Sequence, residues 1–234
     1  DQSSTNFTFN HDCKPLSPEL SDSVQRAKTA MAKWTHTSIQ ERVNMVLKVR
    51  AVFTETSLET LVKDKLSPPL NLPGPTGESN QLSLHGRGVM ILIIRDEDPA
   101  MSITLQIASA LLCGCSLLIC AGMHPHQKVI DVLSHYKMLG LPKSMLQTVA
   151  LDDSASLIQH PDIAGVIANS FGANSKALLQ EMAKRSGCII PLIEWPKINA
   201  DYNYHWLLGF LSERTRTENL VARGGNTQLF NLSE

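Results

Sequence analysis

Apolar residues at helical spacing open the chain. Leu20, Val24, Ala27, Met31 and Trp34 form one stripe, with Ser17 placed as an N-cap and Pro18 at the first helical position. A second stripe, Ile39, Val43, Val46, Leu47, Phe53, Leu58, Leu61 and Val62, follows Ser38 and Glu41, spaced as a capping box. Two surface helices, each with one buried face, are therefore expected within an N-terminal segment over 1–65. The rhythm then breaks. LSPPLNLPGPTGESN, from Leu66 to Asn80, concentrates prolines and glycines, which argues against helix and sheet interior alike and predicts a domain border or an ordered crossing segment over 66–87.

From residue 88 to 213 short apolar, β-branched runs alternate with helical patterns. Strands are predicted at Val89–Arg95, Leu117–Cys120, Met145–Val149, Ile163–Ala168 and Cys188–Ile193. Helices are predicted at Pro99–Cys113 closed by Gly114, near Pro125–Leu139 ending at Gly140, near Ser154–Gln159, and at Asn174–Arg185 closed by Gly187. Near-continuous apolar strands separated by helices predict a parallel sheet covered on both faces, a Rossmann-like doubly wound α/β domain. Asp201–Ser212 reads as one more helix, and Arg214–Glu234 as an extended polar tail.

Composition narrows the function classes. The chain has 234 residues, 43% of them hydrophobic and 18% charged, with a formal net charge of -1. Scattered Lys and Arg give no footprint for nucleic acid or an anionic bilayer. The longest apolar stretches, Val89–Ile94 and Ala108–Cys113, fall far short of the ~20 residues needed to span a membrane. Asp1–Asn10 resembles no signal peptide, and the missing initiator Met points to a piece of a longer chain. Of five cysteines, Cys113, Cys115, Cys120 and Cys188 sit in apolar runs, as reduced core thiols of a cytoplasmic protein would.

Most of the residues able to carry chemistry argue against it. A nucleotide site would place a Gly-rich turn after the first strand; here the turn is Arg95-Asp96-Glu97-Asp98-Pro99, whose carboxylates suit the helix dipole but repel a pyrophosphate. Gly86-Arg87-Gly88 precedes that strand and reads as a turn into it. Cys113, Cys115, Cys120, His124 and His126 could be drawn as a zinc cluster, but the spacing lacks C-x-x-C pairs and favours buried thiols. No G-x-S-x-G elbow exists. Glu194, beside Trp195 at the end of the last strand, is the best isolated carboxylate, although one carboxylate without a partner defines no reaction.

From Gly88 to Trp195 the chain resembles the cofactor domain of aldehyde dehydrogenases, most closely at His160-Pro161-Asp162-Ile163-Ala164-Gly165-Val166 and at Ala108–Gly114. Two segments narrow the resemblance to the C-terminal domain of long proline utilization A proteins. One is the crossing motif Pro73, Gly74, Pro75, Thr76, Gly77 and Glu78, with Leu82, Leu84 and His85 after it; the other is the tail motif Arg214, Asn219, Gly224, Gly225 and Asn226.

Those enzymes couple an FAD-dependent proline dehydrogenase to an NAD-dependent glutamate-semialdehyde dehydrogenase. The resemblance implies that FAD and NAD belong to the parent protein and that this fragment is a lid sealing the path of the aldehyde intermediate. It implies docking on the dehydrogenase domain of the same chain or of a second protomer, in a possible homo-oligomer, with no nucleic-acid or membrane binding. Departures from the aldehyde dehydrogenase pattern imply no catalytic, cofactor or metal residue here. Asp96-Glu97-Asp98-Pro99 replaces Trp-Asn-Phe-Pro, Cys120 or its neighbours stand where a ribose-binding Lys is usual, and Asn169-Ser170-Phe171 replaces the Gly-Ser-Thr turn. Glu194-Trp195-Pro196 replaces Glu-Leu-Gly-Gly, and the half carrying the nucleophilic Cys is missing. The alternatives are an NAD-binding oxidoreductase domain in its own right and an oligomerisation or partner-binding module.

Overall fold

A computed structural model describes residues 16–48, 69–95, 98–122, 127–169, 173–195 and 204–220. Helix α1 (Pro18–Trp34) begins as expected: the Leu20 N–H donates to the Ser17 hydroxyl, and Pro18 occupies the first turn, where its missing N–H costs nothing. Helix α2 (Ile39–Lys48) starts from the reciprocal box, the Glu41 N–H donating to Ser38 Oγ and the Ser38 N–H to Glu41 Oε2. Its expected continuation through Phe53, Leu58, Leu61 and Val62 lies outside the described residues.

The α/β body runs β3 (Val89–Ile93), α3 (Ala100–Cys113), β4 (Ser116–Ala121), α4 (Gln127–Met138), β5 (Leu146–Ala150), α5 (Ser154–Ile158), β6 (Ile163–Asn169), α6 (Ala173–Ala183) and β7 (Leu192–Trp195). All five strands are parallel, in the order β5-β4-β3-β6-β7. Side chains of β3 alternate between two cores, as a strand covered on both faces must. Met90, Leu92 and Ile94 pack with Ile103, Ile107 and Leu111 of α3 and with Val132 and Tyr136 of α4. Val89, Ile91 and Ile93 pack with Leu157, Ile158 and Leu178. Helix α1 lies against β3, β4 and β5 and feeds both cores, Val24 and Ala27 into one, Ala30 and Trp34 into the other. The first strand of the α/β body, β3, is thus central, and the strand order reverses between β3 and β6, where open α/β sheets present their ligand crevice.

Three expectations need correction. The segment 66–87 holds two strands, β1 (Leu70–Leu72) and β2 (Glu78–Gly86), because its prolines fall outside them and the turn between is closed by the Glu78 N–H donating to Pro75 O, with Gly77 at φ 94. Within the stretch expected as one more helix, Asp201–Ser212, the described residues form a 3₁₀ helix over Tyr204–Phe210 and then enter β8 (Leu211–Asn219), so the described start of the polar tail is a strand. The ladder of β7 begins only after Pro191, which has no N–H to give; Ile189 is 99% exposed and Cys188 is exposed rather than a core thiol.

β1, β2 and β8 form a separate three-stranded antiparallel sheet, with β2 in the middle. β2 and β8 pair from Glu78↔Asn219 to Gly86↔Leu211.

Candidate functional site

At the carboxyl end of β3 the chain turns on its own ion pair. Asp98 accepts from the Arg95 N–H at 2.8 Å and from the Arg95 guanidinium at 3.1 Å, and its side chain is 1% exposed. The acidic turn therefore presents at least one of its carboxylates inward, already matched by a cation; Asp96 and Glu97 lie outside the described residues. Helix α3 starts immediately after, with Pro99 as a cap that offers no side-chain acceptor. Its first hydroxyls turn back onto backbone, Ser102 Oγ donating to Pro99 O and Thr104 Oγ1 to Ala100 O.

Across the strand-order reversal, Asn169 ends β6. The buried Gln106 of α3 donates its Nε2 to Asn169 Oδ1 at 2.9 Å. Among the described residues Gln106 Oε1 and Asn169 Nδ2 have no partner. Sequence reasoning missed this pair, although an amide interrupting an apolar helix was the available signal. Ser170 and Phe171 lie outside the described residues. Glu194, exposed at the end of β7 next to Trp195, accepts from the Ser175 hydroxyl of α6.

Cys113, Cys115 and Cys120 are buried. Burial pushes Cys115 up to about 11 against weaker downward pulls from the Gly88 and Arg87 backbone, and raises Cys113 and Cys120 well above the ordinary thiol value. Cys115 Sγ donates to Phe210 O at 3.1 Å. Among the described residues no group of His, Cys, Asp and Glu could hold a metal; His124 and His126 lie outside them.

The crossing motif and the described part of the tail motif, Arg214 and Asn219, meet on the antiparallel sheet. Pro73 to Gly77 form the β1–β2 connection and Glu78 opens β2, facing Asn219 at the tip, where the Leu220 N–H also donates to Gly77 O at 2.7 Å. Nearby Thr217 Oγ1 donates to Asn80 Oδ1 at 2.6 Å, and a Cβ on Gly74 would strike the Asn80 amide. Arg214 stands opposite Ser83, whose hydroxyl lies 2.8 Å from His85 Nε2. Burial, then the charges of Arg214 and Arg42, hold His85 below its ordinary value. Gly224, Gly225 and Asn226 lie outside the described residues.

At the other end the sheet is pinned to the body. Arg87 donates to Gly209 O and Leu211 O, and Gly86 passes so close to Cys113 and Gly114 that no Cβ fits. Beyond that base Glu213–Asn219 are exposed, and Leu70 and Leu220 expose 60% and 65% of their surface.

These features define an α/β protein of Rossmann-like build carrying a β-ribbon, an architecture shared with aldehyde dehydrogenases. A Burkholderia cenocepacia protein assigned as an aldehyde dehydrogenase superposes with a TM-score of 0.62 at 19% identity, over 76% of this chain and 44% of that one. A solved variant of Bradyrhizobium japonicum proline utilization A (PutA) superposes with a TM-score of 0.64 at 24% identity, over 77% of this chain and 22% of that one. More particularly, the chain is homologous to part of the bifunctional protein PutA of Escherichia coli, with 27% identity over 161 residues. That stretch covers 69% of this chain and 11% of the length of PutA. No protein-family model matches the chain. Among the described residues no helix is long and apolar enough to cross a membrane.

Proposed function

We propose that this chain is a non-catalytic domain of a bifunctional proline-catabolic enzyme, in which the β1-β2-β8 ribbon acts as a lid over the glutamate-semialdehyde dehydrogenase site. The observation that carries this reading is the pairing of β2 with β8. It sets Glu78 of the crossing motif beside Asn219 of the tail motif, on a ribbon anchored at its base and exposed beyond it. A reactive aldehyde held under such a cover reaches the second site before it diffuses away, and closure excludes side reactions. Arg214 supplies a planar donor fork for a carboxylate or carbonyl of the partner surface, and the exposed Leu70 and Leu220 supply apolar contact. The partner is the dehydrogenase domain of the same chain or of a second protomer, and the enzyme works in the cytoplasm.

FAD and NAD belong to the rest of the enzyme. The groups at the strand-order reversal do not fit a dinucleotide, because the inward Asp98 carboxylate takes up the Arg95 N–H and guanidinium that would otherwise face a pyrophosphate. The raised thiol pKa values support the absence of a nucleophile among Cys113, Cys115 and Cys120. The test is a coupled assay on the bifunctional enzyme. Removing residues 214–234 leaves proline oxidation near its original rate and introduces a lag in NADH formation; unchanged coupled kinetics would refute the lid. A second reading, self-association through the ribbon, is favoured by the open backbone edge that β8 leaves at the end of its sheet and predicts a molecular mass that rises with concentration in light scattering.

A further inference from the structure

Away from both the strand-order reversal and the ribbon, α1 and the turn before β5 line an open surface groove of about 710 Å³. That volume lies within the ~300–1,000 Å³ of small-molecule sites. Arg26, Lys33 and Lys143 line it against a single carboxylate, Asp22, an excess of two positive charges (three minus one) in a chain whose formal net charge is -1. None of the ion pairs among the described residues uses Lys33 or Lys143. Neutralising such a cluster from outside gains more than spreading it over a surface, because each cation held near the others carries a repulsion that an anion relieves.

The backbone at the rim is a second, independent observation. The Met145 N–H donates to Pro142 O, closing a turn in which Ser144 stands third with φ 71. Glycine or asparagine is the ordinary occupant of that left-handed position, so a serine held there marks a constrained turn. Ser144 lines the charged groove and also an adjoining one of about 380 Å³ walled by Leu133, Leu141 and Leu146, with Lys137 at its edge. A charged compartment and an apolar one therefore share the Pro142–Ser144 rim.

We propose that this pair of grooves binds a small phosphate-bearing organic molecule, its phosphate among Arg26, Lys33 and Lys143 and its apolar part against Leu141. A phosphate brings close to two negative charges and several strong acceptors, which suits three cations better than a lone carboxylate would. The site lies apart from both the strand-order reversal and the ribbon and stands independently of the lid reading.

The test is calorimetric titration of the unmodified chain with inorganic phosphate and with phenyl phosphate. Expected are saturable binding that weakens with added salt, tighter binding of phenyl phosphate than of inorganic phosphate, and at least tenfold weaker binding in the Lys33→Gln, Lys143→Gln double variant. Lys176→Gln on α6, exposed and away from the groove, leaves affinity unchanged. Should the double variant fold poorly, amide shift changes at Lys33, Lys143 and Ser144 on titrating the unmodified chain locate the site without it. Equal affinity in the double variant, shifts confined to Arg95–Asp98, no saturable binding of either probe, or binding only to vesicles containing phosphatidic acid would each overturn the proposal.

Discussion

The α/β body and the three-stranded ribbon are both β-structure, but they are held together in different ways. Strands β3 and β4 are buried along their whole length between two layers of helix, so their register is fixed by side chains. The ribbon buries neither face in full: β2 is half-buried along most of its length, and β8 is exposed from Glu213 onward. Its coherence rests on the backbone ladder from Glu78↔Asn219 to Gly86↔Leu211 and on the Arg87 clamp at its base. An antiparallel sheet of this size without a covered face is marginal alone. A surface that contributes little to its own stability yet is built over nine registered pairs suits the cover proposed for it, and the charged residues Glu213, Arg214, Arg216 and Glu218 on edge strand β8 suppress indiscriminate pairing.

Four measurements break or sharpen this contrast. The largest effect is expected in the body: Leu111→Ala, fully buried between α2, α3 and the sheet, costs about 2 to 5 kcal/mol in urea unfolding. Next, Trp34→Phe removes the indole N–H that donates to Leu111 O at 2.9 Å in the buried seam between α1 and α3 and costs about 1 to 2 kcal/mol. On the ribbon, Leu82→Ala costs less than about 1 kcal/mol in the same experiment, its side chain being only half-buried. A ribbon leucine as costly as Leu111 would erase the distinction.

The smallest effect is pH-dependent. Burial holds His160 below its ordinary value, and Asp162, which pulls it back up, does not reverse the shift. His85 is lowered by burial and then by Arg214 and Arg42. Both imidazoles therefore bind fewer protons folded than unfolded. The stability they contribute is complete above the ordinary imidazole pKa of about 6.5 and is lost as pH falls below it through the folded values. The urea midpoint should drop as pH is lowered from about 7 to about 5, and His160→Gln should flatten part of that slope. A midpoint that rises on acidification would contradict the assignment.

Where apolar residues repeat on two faces, the sequence was enough to read the structure. Ser17 and Pro18 marked the start of α1, Gly114 at φ 88 the end of α3, and the two-sided alternation of Val89–Ile94 the central strand. β8 was illegible for a physical reason. Ser212–Asn219 are all polar, and they form a strand because their backbone pairs with β2, more than a hundred residues away in the chain. Pro191 hid the true start of β7, and the exposed Cys188 and Ile189 follow from that. Of the candidate site, the acidic turn was visible but its inward ion pair was not, since nothing in Arg95-Asp96-Glu97-Asp98 says which carboxylate folds back on the arginine. The Gln106–Asn169 contact joins positions 63 residues apart, so the amide that interrupts the apolar α3 pattern could be noticed but its partner could not.

The most direct measurement is titration of the chain with NAD by isothermal calorimetry. A strand-order reversal capped by its own Arg95–Asp98 pair gives no saturable heat up to millimolar dinucleotide. Saturable heat at micromolar NAD, abolished by a bulky substitution at Asn169, would contradict it and make the body a working cofactor domain.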